Sequence, residues 1–164
     1  MRPEAGLYSD VLRSCEQSGL RYVVIGGMAL ALHGSPRPTA DLDIAVDPAP
    51  EEADRAMRLL LHLRFHPTIP LPLSLAVVLT WLDGGGRRID VLTRTLVPFS
   101  TLWETSELVR SDVALVRTAS LPQLYSLQRA RKTPVGFREA EGIARFVAAR
   151  AELERLGNQS GAGP

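Results

Sequence analysis

At 164 residues the chain is long enough for one compact domain with a proper core and too short for two full ones. Hydrophobic content of 45% and charged content of 23% are ordinary globular values, and a formal net charge of +1 creates no strong long-range field of the kind that marks a nucleic-acid binder. The lone cysteine, Cys15, excludes an intramolecular disulfide framework and a cysteine-rich zinc site.

Leu7, Val11, Leu12 and Cys15 recur at helical spacing and Ser18-Gly19 supplies a stop signal, so the pattern predicts an N-terminal helix packed on a sheet. Tyr22 to Ile25 reads as the first strand. Gly26-Gly27 then turns the chain into a short helix through Met28, Ala29, Leu30 and Leu32, ending near His33-Gly34. In Ser35-Pro36-Arg37-Pro38-Thr39 two prolines forbid a helix and stiffen the loop. A second strand runs from about Asp41 to Val46. Pro50-Glu51-Glu52 starts a helix whose apolar stripe is Ala56, Leu59, Leu60 and Leu63 and which ends near Arg64. Leu75 to Leu82 and Arg87 to Thr93 are β-compatible segments flanking Asp83-Gly84-Gly85-Gly86, a hairpin signal, and this places Asp90 in a central or near-central antiparallel strand. A helix from about Phe99 to Glu107 and a strand at Val113 to Val116 precede two C-terminal helices, roughly Leu121 to Arg131 and Phe137 to Leu156.

The expected architecture is α/β (α+β), a mixed β-sheet flanked by helices and followed by a C-terminal helical pair, without internal repeat. Residues 1–156 form one domain, and 157–164, which have nothing to bury, are expected to be a disordered tail. No basic region leads into an apolar stretch at the N-terminus, and no run approaches the roughly eighteen apolar residues of a membrane span. The expectation is a cytoplasmic protein with no membrane partner.

The chemistry concentrates in three carboxylates and a glycine pair. Side chains alternate along a strand, so Asp41 and Asp43 are expected on one face, roughly 6 to 7 Å apart, with Leu42 and Ile44 in the core behind them. Acids so close repel each other, and a divalent cation removes that penalty. If the strand bearing Asp90 is a neighbour, three acids can meet. A magnesium pair held by them roughly 3.5 to 4 Å apart, or manganese in its place, would stabilise the attacking and leaving oxygens of an in-line phosphoryl displacement. Asp90 is then the third ligand and the best-placed base for an acceptor hydroxyl. Gly26 and Gly27 open a helix directly after a strand, which turns backbone amides and the positive helix end towards an anion. No Gly-Lys-Ser/Thr follows, and no third glycine falls at dinucleotide-fold spacing, so neither a P-loop nor a Rossmann fingerprint is present. Arg37, between Pro36 and Pro38, could reach a triphosphate or an acceptor phosphate. Singly, a Gly-Gly pair is usually a turn and an Asp-x-Asp a solvated strand start or cap; in this order along the chain they favour an active site.

Ile25-Gly26-Gly27 followed by Asp41-Leu42-Asp43-Ile44 resembles the signature of the DNA polymerase beta type nucleotidyltransferase superfamily. Gly26 through His33-Gly34, with Arg37-x-Thr39-x-Asp41, is closer to a small bacterial branch that includes abortive-infection toxin nucleotidyltransferases, and resembles antibiotic nucleotidyltransferases. The resemblance covers Tyr22 to Leu92 well and the rest weakly. It implies transfer of a nucleoside monophosphate from an NTP to a hydroxyl, with two magnesium ions on Asp41, Asp43 and Asp90, and nucleotide contacts from Gly26, Gly27, Arg37 and Thr39. Relatives often carry a lysine where this chain has Gln128. Arg129, Arg131 and Lys132 are candidates to replace it, against the plainer reading of a basic helix end complementing its own dipole.

Other features carry less. His62 and His66 have the spacing of a helical metal pair, yet Pro67 follows at once and no third ligand is near, so a structural role is favoured. His33 reads as a helix end, and Trp81 and Trp103 as core or interface anchors. An RNA end, a protein hydroxyl and a small antibiotic all remain open as acceptor. The alternative is a catalytically degenerate descendant that binds nucleotide or serves as a toxin-antitoxin partner subunit, completed by a partner protein or a homodimer.

Overall fold

The computed structural model describes residues 6–112 and 114–160. Helix α1 (Ser9–Ser18) leads into β1 (Tyr22–Ile25), α2 (Gly26–His33), β2 (Leu42–Val46) and α3 (Pro50–His62). A two-residue β3 (His66–Pro67), the hairpin β4 (Val78–Leu82) and β5 (Arg88–Leu92), and the short helix α4 (Phe99–Glu104) follow. Strands β6 (Glu107–Arg110) and β7 (Leu115–Thr118) and helices α5 (Leu121–Ala130) and α6 (Pro134–Ser160) complete the chain. The strands form one mixed seven-stranded sheet in the order β3-β4-β5-β2-β1-β7-β6.

All four residues of β1 are buried, so this central strand is covered on both faces. On one side α1 packs with α3; on the other, α2 packs with α5 and α5 with α6. The hairpin half of the sheet is different. In β4 and β5 the residues Leu79, Trp81, Ile89 and Val91 are buried, while Val78, Thr80, Arg88, Asp90 and Leu92 alternate with them and stay partly or fully exposed. Period-two alternation therefore gives this half one core face and one open face, and the open face becomes the floor of the site.

Several boundaries differ from the sequence expectation. The segment read as a strand from Leu75 begins only at Val78, because Pro70 and Pro72 direct the chain into a short 3-10 turn over Leu73–Leu75. The strand bearing Asp90 is antiparallel to β4, as expected, and parallel to β2, which was not. The helix starting at Phe99 stops at Glu104, and Glu107–Arg110 becomes an edge strand paired with β7. Strand β7 lies at Leu115–Thr118 rather than at Val113 to Val116, a shift that buries Val116 and Thr118; Val113 is outside the described residues. Helix α6 continues through Gly157 to Ser160, into the segment expected to be a disordered tail, since extending an existing helix over polar residues needs no further nucleation. Residues 161–164 are outside the described residues. Among the described residues no helix is long and apolar enough to cross a membrane.

Candidate active site

Strands β2 and β5 run side by side with Asp43 directly opposite Asp90. Both side chains project from the open face, while Leu42, Ile44, Ile89 and Val91 anchor the strands from the core side. Asp41 precedes β2, is exposed, and is close enough to act electrostatically on Asp43. The three acids thus belong to one corner of the molecule, although Asp41 lies outside the strand in which it was expected.

The glycine pair fits against this corner. Gly26, the first residue of α2, follows Ile25, the β1 residue paired with Asp43; its φ is +67°, and a Cβ there would overlap Asp43 Oδ2. A Cβ on Gly27 would come within 2.7 Å of Thr39 Oγ1. The missing side chains are therefore what let the Asp43 carboxylate and the Thr39 hydroxyl close on the start of α2. Tyr8, absent from the sequence reading, ties the corner together from beneath. Its hydroxyl lies 2.8 Å from both Ala40 O and Arg88 O, to one of which it donates, and accepts from Arg88 N–H at 3.0 Å. One buried side chain thereby fixes the backbone just before Asp41 and just before Asp90.

The carboxylates are not equivalent. Burial, followed by the charges of Asp90 and Asp41, pushes the Asp43 carboxyl up to about 6, with Arg88 opposing the shift. Asp90 is held by Thr80, whose hydroxyl donates to Oδ1 at 2.5 Å, and by Arg88, whose Nη2 lies 2.9 Å from Oδ2. With Asp90 drawn onto these partners, no group of three acids or imidazoles among the described residues closes around a single point. Asp43 remains the carboxylate with unmet charge demand, and the oxygen-only donor set suits a hard divalent cation.

The state of Asp43 predicts a pH dependence of stability. A carboxyl harder to ionise in the fold than in the unfolded chain binds extra protons when folded, so its contribution to stability falls as pH rises from 3.8 to about 6. In metal-free protein, Asp43→Asn is expected to raise stability at pH 7.5 by on the order of 2 kcal/mol and to have little effect at pH 4. Thermal denaturation of both proteins at the two pH values checks this.

A cavity of about 800 Å³ opens at Asp43, lined by Gly26, Gly27, Arg37, Thr39 and Asp43 together with residues of α5 and α6. Asp41 and Asp90 stand outside its lining. Arg37 is ion-paired with Glu139 of α6, which bridges the proline-flanked loop to the C-terminal helix across the cavity edge. Of the residues considered as replacements for the lysine, Arg131 reaches the cavity beside Gln128. Arg129 instead lies over the Phe137 ring at 4.8 Å. His33 is spent on the Ala119 carbonyl at 2.8 Å, and Trp103 is flanked by the guanidiniums of Arg21 and Arg117. The sequence reading missed Glu139, Arg94 and the apolar cavity wall, which come from segments without a motif.

No protein-family model matches the sequence, and no curated protein matches it. Solved structures do match the fold. ANT(2'')-Ia in complex with adenylyl-2''-tobramycin superposes with a TM-score of 0.63 at 14% identity, covering 98% of this chain and 99% of that one. TM1012 of Thermotoga maritima, whose assignment as a nucleotidyltransferase is provisional, superposes at 0.60 with 16% identity, covering 94% and 96%. End-to-end agreement of this kind over a mixed sheet with flanking helices identifies the architecture: the chain has the nucleotidyltransferase fold.

Proposed function

We propose that the protein is a metal-dependent nucleotidyltransferase that moves a nucleoside monophosphate from an NTP to a hydroxyl acceptor. The observation that carries this reading is the direct opposition of Asp43 and Asp90 on β2 and β5, with Gly26 stripped of a side chain where Asp43 approaches. Asp43, Asp90 and Asp41 would hold magnesium or manganese, which when bound supplies Lewis-acid stabilisation of the phosphoryl oxygens. The start of α2 offers backbone amides and a positive helix end to the triphosphate, and Thr39 lies beside it. Arg37, paired with Glu139, lines the same cavity and would add positive charge beside the triphosphate. In the transfer the acceptor oxygen bonds to the α-phosphorus, the bond to the α,β-bridging oxygen breaks, and pyrophosphate leaves with the electron pair. The acceptor proton passes to a carboxylate at the site, for which Asp90 is the candidate.

The test follows the label. With NTP labelled at the α-phosphorus, label is expected on the acceptor, and with NTP labelled at the γ-phosphorus it is expected in pyrophosphate. Retention of γ-label on an acceptor, or its release as inorganic phosphate, would sink the reading in favour of a kinase or a hydrolase.

A second reading, a degenerate site that binds nucleotide or works through a toxin-antitoxin partner, is favoured by the Arg88–Asp90 ion pair and by Gln128. The two readings part on Arg88. If Arg88 only neutralises Asp90 until a cation arrives, Arg88→Ala should tighten manganese binding severalfold, as read by manganese EPR. A degenerate site predicts no manganese binding in either protein.

A further inference from the structure

The part of the cavity lining that lies away from the Gly26-Gly27 turn in sequence has a chemistry of its own. It is made by the start of β4 with the residue before it, the end of β5 and the following loop: Val77, Val78, Leu92, Arg94 and Leu96. Val77, Val78 and Leu96 leave 53%, 50% and 63% of their surface exposed, which keeps an apolar strip next to a charged site uncovered. The guanidinium of Arg94 makes no hydrogen bond or ion pair among the described residues. Arg131, on the opposite wall, has only the neutral Gln128 side chain, at 3.2 Å. The acids facing the same space are Asp43 and Glu139, and Glu139 is already paired with Arg37. With Asp43 assigned to the metal and Glu139 held by Arg37, the lining offers no further carboxylate to an ammonium group, whereas the guanidiniums of Arg94 and Arg131 have no carboxylate partner and are open to an anion. Arg94 and Thr95 also line a second cavity, of about 480 Å³.

Resting on the nucleotidyltransferase reading, we infer that the acceptor is an anionic hydroxyl compound, its phosphate or carboxylate on Arg94 and its planar or apolar body on Val77, Val78 and Leu96. A polycation such as an aminoglycoside does not fit this charge pattern, although the ANT(2'')-Ia structure, with the same fold, holds an adenylylated tobramycin. Fold likeness and acceptor choice therefore part company at the wall beside the acids.

The experiment is a calorimetric comparison of acceptor probes on full-length protein, with and without magnesium and a non-hydrolysable α,β-methylene NTP. The probes are the 5′-phosphorylated dinucleotide pApA, ribose 5-phosphate and tobramycin. The anionic probes are expected to bind at least about tenfold more tightly than tobramycin, and Arg94→Glu to weaken them by about tenfold or more, with Arg94→Lys largely restoring them. Parity of pApA and ribose 5-phosphate would identify a phosphosugar acceptor, and preference for pApA a nucleic-acid terminus; both uphold the anionic class. Tighter binding of tobramycin, no binding of any probe, or indifference of the anionic probes to Arg94→Glu overturns it. Failure of the magnesium–NTP analogue to bind wild type counts against the transferase reading, while the probe preference and its response to Arg94 are still read on the unloaded protein.

Discussion

Asp43→Asn is expected to remove magnesium-dependent nucleotide binding and transfer by at least about a hundredfold while leaving the protein folded and, without metal, more stable. The two effects share a cause. Asp43 is the acid that burial and the neighbouring Asp90 and Asp41 charges make costly to ionise, and the same unmet charge is what a divalent cation would satisfy. Asparagine keeps the shape against Gly26 and removes the charge. Loss of binding in a protein whose melting temperature has risen separates a site effect from an unfolding effect, which an alanine replacement would blur. A variant that binds magnesium–NTP like wild type would show that Asp43 is only a half-buried strand acid.

Gly26→Ala is the second large effect. At φ +67° a residue with a side chain costs roughly 1 to 2 kcal/mol of backbone strain. The added methyl would also overlap Asp43 Oδ2, so the carboxylate has to move from its place beside α2. Both penalties fall on one position, and the expected outcome is a measurable drop in melting temperature together with a nucleotide affinity at least about tenfold weaker. Gly142→Ala is the control, because a Cβ there meets nothing within 4 Å and the site is inside helix α6. That change should be neutral or slightly stabilising. Equal damage from both would mean that the Gly26 effect comes from general glycine loss and not from its contact with Asp43.

The parts legible in the sequence were those with local causes. Gly26-Gly27 after an apolar strand, the prolines around Arg37, and the Asp83-Gly84-Gly85-Gly86 turn between two β-compatible segments each specify their own conformation, so the strand-turn-helix unit and the hairpin bearing Asp90 could be read directly. The parallel pairing of β2 with β5 could not, because apolar runs such as Leu42–Val46 fit several neighbours and the choice is made by packing of the whole sheet. Tyr8 was missed for a similar reason: its contacts with Ala40 and Arg88 lie 32 and 80 residues away in sequence. Glu139 and Arg94 carry no local signal either. Each becomes informative only once α6 and the loop after β5 are seen to border the same cavity.

The central claim is that Asp41, Asp43 and Asp90 with the Gly26-Gly27 turn form one metal–nucleotide site. It is tested most directly by calorimetric titration of each NTP, with and without magnesium, into wild type and an Asp41→Ala, Asp43→Ala double variant. Magnesium-dependent binding by wild type that disappears in the double variant is the predicted result. Binding that ignores magnesium or survives the double substitution, or no binding by wild type at all, would contradict it.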